Sequence, residues 1–176
     1  RRTWRYFGQF AGPEDHFLPP DNFQEEPANG IAHRTSPTNM GLLLASTVTA
    51  RDFGYLTTDR MLWLLEQTLT TIAGLETWNG HLLNWYDTRT LKPLVPRYVS
   101  TVDNGNYICY LIAVKEALTK WLDRPIFDKA QLSGLLDTAK LANEEGAEID
   151  VTGLLGLAGE ESRAVEPKTQ FTQLLS

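Results

Sequence analysis

"TSPTNMGLLLAS", Thr35–Ser46, decides the fold, because a weaker copy of it, "STVDNGNYICYL", returns at Ser100–Leu111. Asn39 and Asn104 fall at matching places in the two, 65 residues apart. Both stretches open on short polar residues and run into apolar ones at helical spacing. In the first, Ser36 suits an N-cap and Pro37 the first helical position, followed by Met40, Leu43, Leu44, Thr47 and Val48. A unit of helix, turn, helix and long return loop therefore occupies roughly 65 residues here. Such hairpins bury their apolar faces only against neighbours, so the expected architecture is an arc of antiparallel helical hairpins. The alternative is a chance likeness in a pattern of low information.

Working outward, Gly54 should stop the first helix, and a second should start near Thr58, with Asp59 in its first turn and a stripe of Met61, Leu62, Leu65, Leu69 and Ile72. The short link between them predicts an antiparallel pair. Thr101 or Asp103 can cap a third helix, with Ile108, Leu111, Ile112, Leu118 and Leu122 facing inward and Pro125 ending it. A fourth should run from about Phe127 to Asn143, with Leu132, Leu135, Leu136 and Ala139 in register, and "VTGLLGLAG" beyond it reads as short or broken. Residues 1–35 read as a loop-rich strap. "GPEDHFLPPDNFQEEPANG" holds four prolines, yet Phe17, Leu18 and Phe23 argue for an ordered segment lying on the domain of residues 36–176. "RRTWRYFGQF" resembles the tail of a helix, and "KTQFTQLLS" stops inside another, so both ends look cut.

The 176 residues suffice for one domain with a real core, and a formal charge of −6 without any Lys/Arg block argues against a nucleic-acid surface. No apolar run approaches the ~20 residues of a membrane span. A single cysteine, Cys109, excludes an internal disulfide and, inside "YICYLIAV", reads as a buried small hydrophobe. His16, His33 and His81 are too widely spaced for a zinc site, and neither a phosphate-binding Gly-rich loop nor a nucleophile elbow occurs, so no metal or cofactor is expected.

The connection "GHLLNWYDTRTLKPLVPRYVSTVDNGN", Gly80–Asn106, is far longer than the ~2–8 residues that usually join helices. Its mixture suits sugars, which offer CH faces to aromatic rings and hydroxyls to paired donors and acceptors. Trp85 and Tyr86 can stack, and Asn84, Asp87 and Arg89 can read hydroxyls. In an extended segment Asn84, Tyr86 and Thr88 point one way and Trp85, Asp87 and Arg89 the other. Equally, Trp85 and Tyr86 could be core, with Asp87 and Arg89 bracing a turn. His33 and Arg34, just before the first helix, either face a shared cleft or stay within the strap, Arg34 pairing with Asp21, Glu25 or Glu26. Glycoside chemistry needs two carboxyl groups across the scissile bond. Asp87 and Asp103 are the nearest candidates, but Asp103 also suits a helix cap and Asp87 sits beside Arg89. No convincing catalytic pair can be assembled.

"LPPDNFQEEPANGIAHRTSPTNMGLLLASTVTARDFGY" and "GHLLNWYDTRTLKPLVPRYVSTVDNGN" closely resemble the glycoamylase-like region of cyclic β-1,2-glucan synthases, which is related to endo-β-1,2-glucanases. The resemblance covers about residues 1–125. It implies an all-α fold, part of an (α/α)6 toroid whose open face binds β-1,2-glucan, with this chain as its front half. It further implies transglycosylation, cyclisation or hydrolysis of glucan by a larger bacterial synthase anchored in a membrane. This segment would lie on the cytoplasmic side, between other domains, and the catalytic glutamates outside it. His33, Arg34, Asn39, Asn84, Trp85, Tyr86, Asp87, Arg89, Asp103 and Asn104 would line the sugar cleft, while apolar helix faces left bare would favour homo-oligomers.

Overall fold

The computed structural model describes residues 2–123 and 128–153. Among the described residues five α-helices carry the fold: α1 (Arg2–Phe10), α2 (Pro37–Asp52), α3 (Thr58–Ala73), α4 (Thr101–Trp121) and α5 (Lys129–Glu144). The strands β1 (Phe23–Gln24), β2 (Gly30–Ile31), β3 (Arg34–Thr35), β4 (Thr77–Trp78), β5 (His81–Leu82) and β6 (Tyr86–Asp87) are two residues each. They pair antiparallel as β1–β2, β3–β6 and β4–β5, and none of these ladders forms a central sheet. The all-α expectation is met. The expected stop at Pro125 and the segment from Leu154 onward lie outside the described residues.

Each of α2 to α5 starts where a side chain can satisfy a free backbone donor. The hydroxyl of Ser36 accepts from the Asn39 N–H, that of Thr57 from Arg60, and that of Ser100 from Asp103. Asp128 and Gln131 form a reciprocal capping box at α5. The cap of α4 is therefore Ser100 rather than Thr101 or Asp103; Asp103 sits at the third helical position, its own backbone N–H held by the cap.

α2 is the central helix, and α4 lies along it in the same direction. Thr38 meets Asp103 at one end, Gly41 meets Tyr110 a turn further on, and Val48 shares a core cluster with Val114. That core holds Leu44, Val48, Met61, Leu65 and Val114, with Tyr107, Leu111, Leu118 and Trp121 packed against it. Each fully buried aliphatic side chain contributes roughly 1.5–3 kcal/mol. Ile108, Ile112 and Leu122, expected inside, are exposed instead, and so are Leu62, Leu69 and Leu135. Cys109 is exposed as well, which corrects its reading as a buried hydrophobe.

A buried arginine fastens the opposite end. Arg51 is 2% exposed. Its Nη1 donates to Asp128 (2.9 Å), its Nε donates to Thr58 (3.1 Å), and its guanidinium lies 5.0 Å from the Trp121 ring centroid. One side chain thus joins the end of α2 to the starts of α3 and α5 and the end of α4. In the N-terminal segment, Leu18 is enclosed in a second core cluster with Met40, Ile72, Leu83 and Tyr86.

Candidate functional site at the helix entrances

The helix entrances of α2 and α4 lie side by side, and the long return loop closes over them. β3, immediately before α2, pairs with β6 in that loop, Arg34 opposite Asp87 and Thr35 opposite Tyr86. This ladder carries the Arg34 guanidinium to 4.9 Å from the Trp85 ring centroid. A planar cation over an indole face is an attractive arrangement. The expected alternation holds: Asn84, Tyr86 and Thr88 are buried, while Trp85 and Asp87 are half-buried and Arg89 is exposed.

From Trp85 a polar circuit runs around both entrances. Arg34 donates through Nε (3.1 Å) and Nη2 (2.9 Å) to Asp21 Oδ2. Asn39 Nδ2 donates to the other Asp21 oxygen at 3.3 Å. Beside Asn39, the Thr38 hydroxyl donates to Asp103 Oδ1 at 2.7 Å, bridging the two helix starts, and Asn106 Nδ2 donates to Thr38 at 3.2 Å. Asp103 also receives the Ser100 hydroxyl. Asn84 closes the circuit. Its amide is oriented by its neighbours, since the Trp85 indole N–H can only donate and the carboxylate accepts. Nδ2 donates to Asp103 Oδ2 at 3.1 Å, and Oδ1 accepts from Trp85 Nε1 (2.6 Å) and the Tyr98 hydroxyl (2.7 Å).

Five of the ten residues singled out in the sequence meet in this circuit: Arg34, Asn39, Asn84, Trp85 and Asp103. Three are turned into the body. Tyr86 is fully buried; its hydroxyl donates to the Glu76 carbonyl and accepts from the Leu83 N–H, both at 2.7 Å, and burial pushes its ionisation up. Asn104 is 7% exposed and spends its amide on the Leu82 backbone (3.0 and 2.9 Å) and the Ser100 carbonyl. His33 points at the buried carboxylate of Asp15 (2.7 Å), which the Thr88 hydroxyl also reaches. His16 Nδ1 donates to the Thr88 carbonyl at 2.9 Å, so this cluster stitches strap, β3 and return loop together. Asp87 and Arg89 form the adjoining turn: Asp87 Oδ1 accepts from the backbone N–H groups of Arg89 (3.0 Å) and Thr90 (2.8 Å).

Sequence reasoning passed over Thr38 and Tyr98 and assigned Asp21 only a bracing role. Thr38 had a signal, since it takes the place in the first copy of the repeat that Asp103 takes in the second. The partnership of Tyr98 with Asn84 had none. Each carboxylate in the circuit is committed to donors of the chain itself, and no pair stands free across an open gap. Among the described residues no three His, Cys, Asp or Glu side chains gather to hold a metal ion. No described helix is long and apolar enough to cross a membrane.

No family model matches this sequence. Over 145 residues, 82% of the chain, it is 48% identical to cyclic beta-(1,2)-glucan synthase NdvB of Rhizobium meliloti (strain 1021), and it spans 5% of that protein. Among solved structures it is similar to a protein of Bacteroides fragilis NCTC 9343 assigned as a glucoamylase. That similarity has a TM-score of 0.56 at 16% identity, over 69% of this chain and 33% of the other, and it speaks to the fold alone. The chain is thus a close relative of one small segment of a cyclic β-1,2-glucan synthase, built as helical hairpins in the glucoamylase-like manner.

Proposed function

We propose that the rim at the entrances of α2 and α4 binds β-1,2-linked glucan as part of a larger enzyme that cyclises, transglycosylates or hydrolyses it. The observation that carries this reading is the Arg34–Trp85 pair. A stacking surface and a planar donor fork sit together at the mouth of a circuit of hydroxyl-reading groups. Arg34, Trp85, Tyr98 and the outer edges of Asp21 and Asn39 are the parts a sugar can reach. The relative's own product supplies the linkage. In this reading the catalytic acid and base belong to other parts of the enzyme, because the carboxylates here are engaged in holding the rim. Neighbouring domains of a membrane-anchored synthase are then its natural partners, and the bare apolar side of α4 favours self-association of the isolated chain.

A second reading is a non-catalytic scaffold whose polar loops brace other domains. It is favoured by His33, Tyr86 and Asn104, whose polar atoms are spent on the chain itself. Titration with linear β-1,2-glucan oligosaccharides, followed by intrinsic Trp fluorescence, separates the two. The expected outcome is a saturable change that Trp85→Ala abolishes and Arg34→Ala weakens by about tenfold, with no shorter glucan released. A folded sample that gives no response favours the scaffold, and turnover by this chain alone would place the acid and base within it.

A further inference from the structure

Next to the rim, on the far side of Tyr98, lies a hollow of about 470 Å³ walled by Glu76, Trp78, Leu83, Arg97, Tyr98 and Val99. We propose that it is a second saccharide position, holding glucosyl units that continue past Tyr98 on the same strand; this rests on the glucan reading of the rim. Four observations carry it. The volume falls within the roughly 300–1,000 Å³ of small-ligand sites. Trp78 stands 60% exposed on a hairpin whose turn residues, Asn79 and Gly80, both have positive φ. That tight turn holds an indole face out into solvent, where packing gives it no purpose.

The walls are also fixed. The Glu76 carbonyl accepts from the buried Tyr86 hydroxyl at 2.7 Å, and the Tyr98 carbonyl accepts from the Asn84 N–H at 2.8 Å. Finally, Arg97 and Glu76 face each other in an ion pair with both side chains about half exposed, so each keeps capacity for hydroxyls. Tyr98 is the hinge between the two positions: its hydroxyl belongs to the rim circuit, while its side chain walls the hollow. In this proposal a strand lying on Trp85 passes Tyr98, which belongs to both positions, and continues onto Trp78.

The test is calorimetric titration of the full chain with the β-1,2-linked glucose disaccharide and with longer linear β-1,2-glucan oligosaccharides. Trp78→Ala should weaken the longer oligosaccharides by about tenfold and leave the disaccharide within twofold. Trp78→Phe should restore most of the loss, and Trp85→Ala should weaken both ligands. Long-ligand affinity unchanged in Trp78→Ala, while Trp85→Ala still weakens binding, overturns the second position and leaves the rim reading standing. Equal weakening of both ligands in Trp78→Ala overturns it too, since the two positions would then not be separate. Failure of the unaltered chain to bind either ligand overturns the rim reading and this proposal together.

Discussion

At Asp87 a single oxygen collects three donors: the Arg89 and Thr90 N–H groups and, at 3.1 Å, the Thr90 hydroxyl. Partial burial works against the charge, but these bonds and the nearby Arg89 outweigh it and hold the carboxyl below its ordinary range. A folded value below the unfolded ~3.9 means that the stabilisation is fully present above that pH. It is lost as pH falls through the folded value. Asp87→Asn should therefore melt at lower temperature than the parent near neutrality, and the two melting curves should converge in acid. Thermal melts from about pH 7 to about pH 2 check this. Asp59 and Asp150, held low mainly by the hydroxyls of Thr57 and Thr152, titrate in both proteins and cancel in the difference. A gap between the curves that stays constant with pH would show that Asp87 acts by shape rather than charge. The turn itself was readable in "YDTRT", since Asp commonly bonds backbone two and three residues on. The bonding of the strap carboxylate Asp15 was not, because its partners are 18 and 73 residues away.

Among the helices, two glycines separate packing from propensity. A Cβ on Gly41 would overlap the Tyr110 ring, so α2 and α4 approach closely only because that atom is missing. Gly105, in the first turns of α4, has nothing within 4 Å of where a Cβ would be. Alanine improves an exposed helix interior by ~1 kcal/mol, whereas overpacking costs ~1–3 kcal/mol. Urea denaturation should then show Gly41→Ala destabilised by roughly 1–2 kcal/mol and Gly105→Ala stabilised by about 0.4–1 kcal/mol. The same sign for both variants would refute the close contact. Helix positions were legible to within a residue or two, because Ser36, Pro37 and Gly54 act locally. Faces were less so. α4 is apolar on both sides, and spacing alone cannot tell which side meets α2. The winning stripe, Tyr107, Leu111, Val114, Leu118 and Trp121, packs on the core shared by α2 and α3, with Tyr110 beside it against Gly41; Ile108, Cys109 and Ile112 are left outward.

For the whole molecule, the repeat told more than any single motif. Because Thr38 and Asp103 fill the same place in successive units, their meeting at 2.7 Å is what parallel neighbours in a ring of hairpins require. Half of the residues proposed for the cleft followed from this shared rim. Asn104, among the others, carries a suitable side chain but bonds to the Leu82 backbone, brought beside it by the folded return loop. The same arrangement leaves Ile108 at 53% and Ile112 at 57% exposure, one helical turn apart, with Val102 at 70% nearer the rim. Water-facing branched side chains in register on one helix favour association. The chain should therefore exceed its 19.8 kDa monomer mass in light scattering, increasingly so with concentration. Ile108→Lys with Ile112→Lys should return it to the monomer without loss of helix content, because neither side chain belongs to the core clusters. A monomer at all concentrations would mean that these side chains are too sparse to bind one another. Association that survives the double substitution would move the contact elsewhere, first to the exposed Phe53 and Leu62.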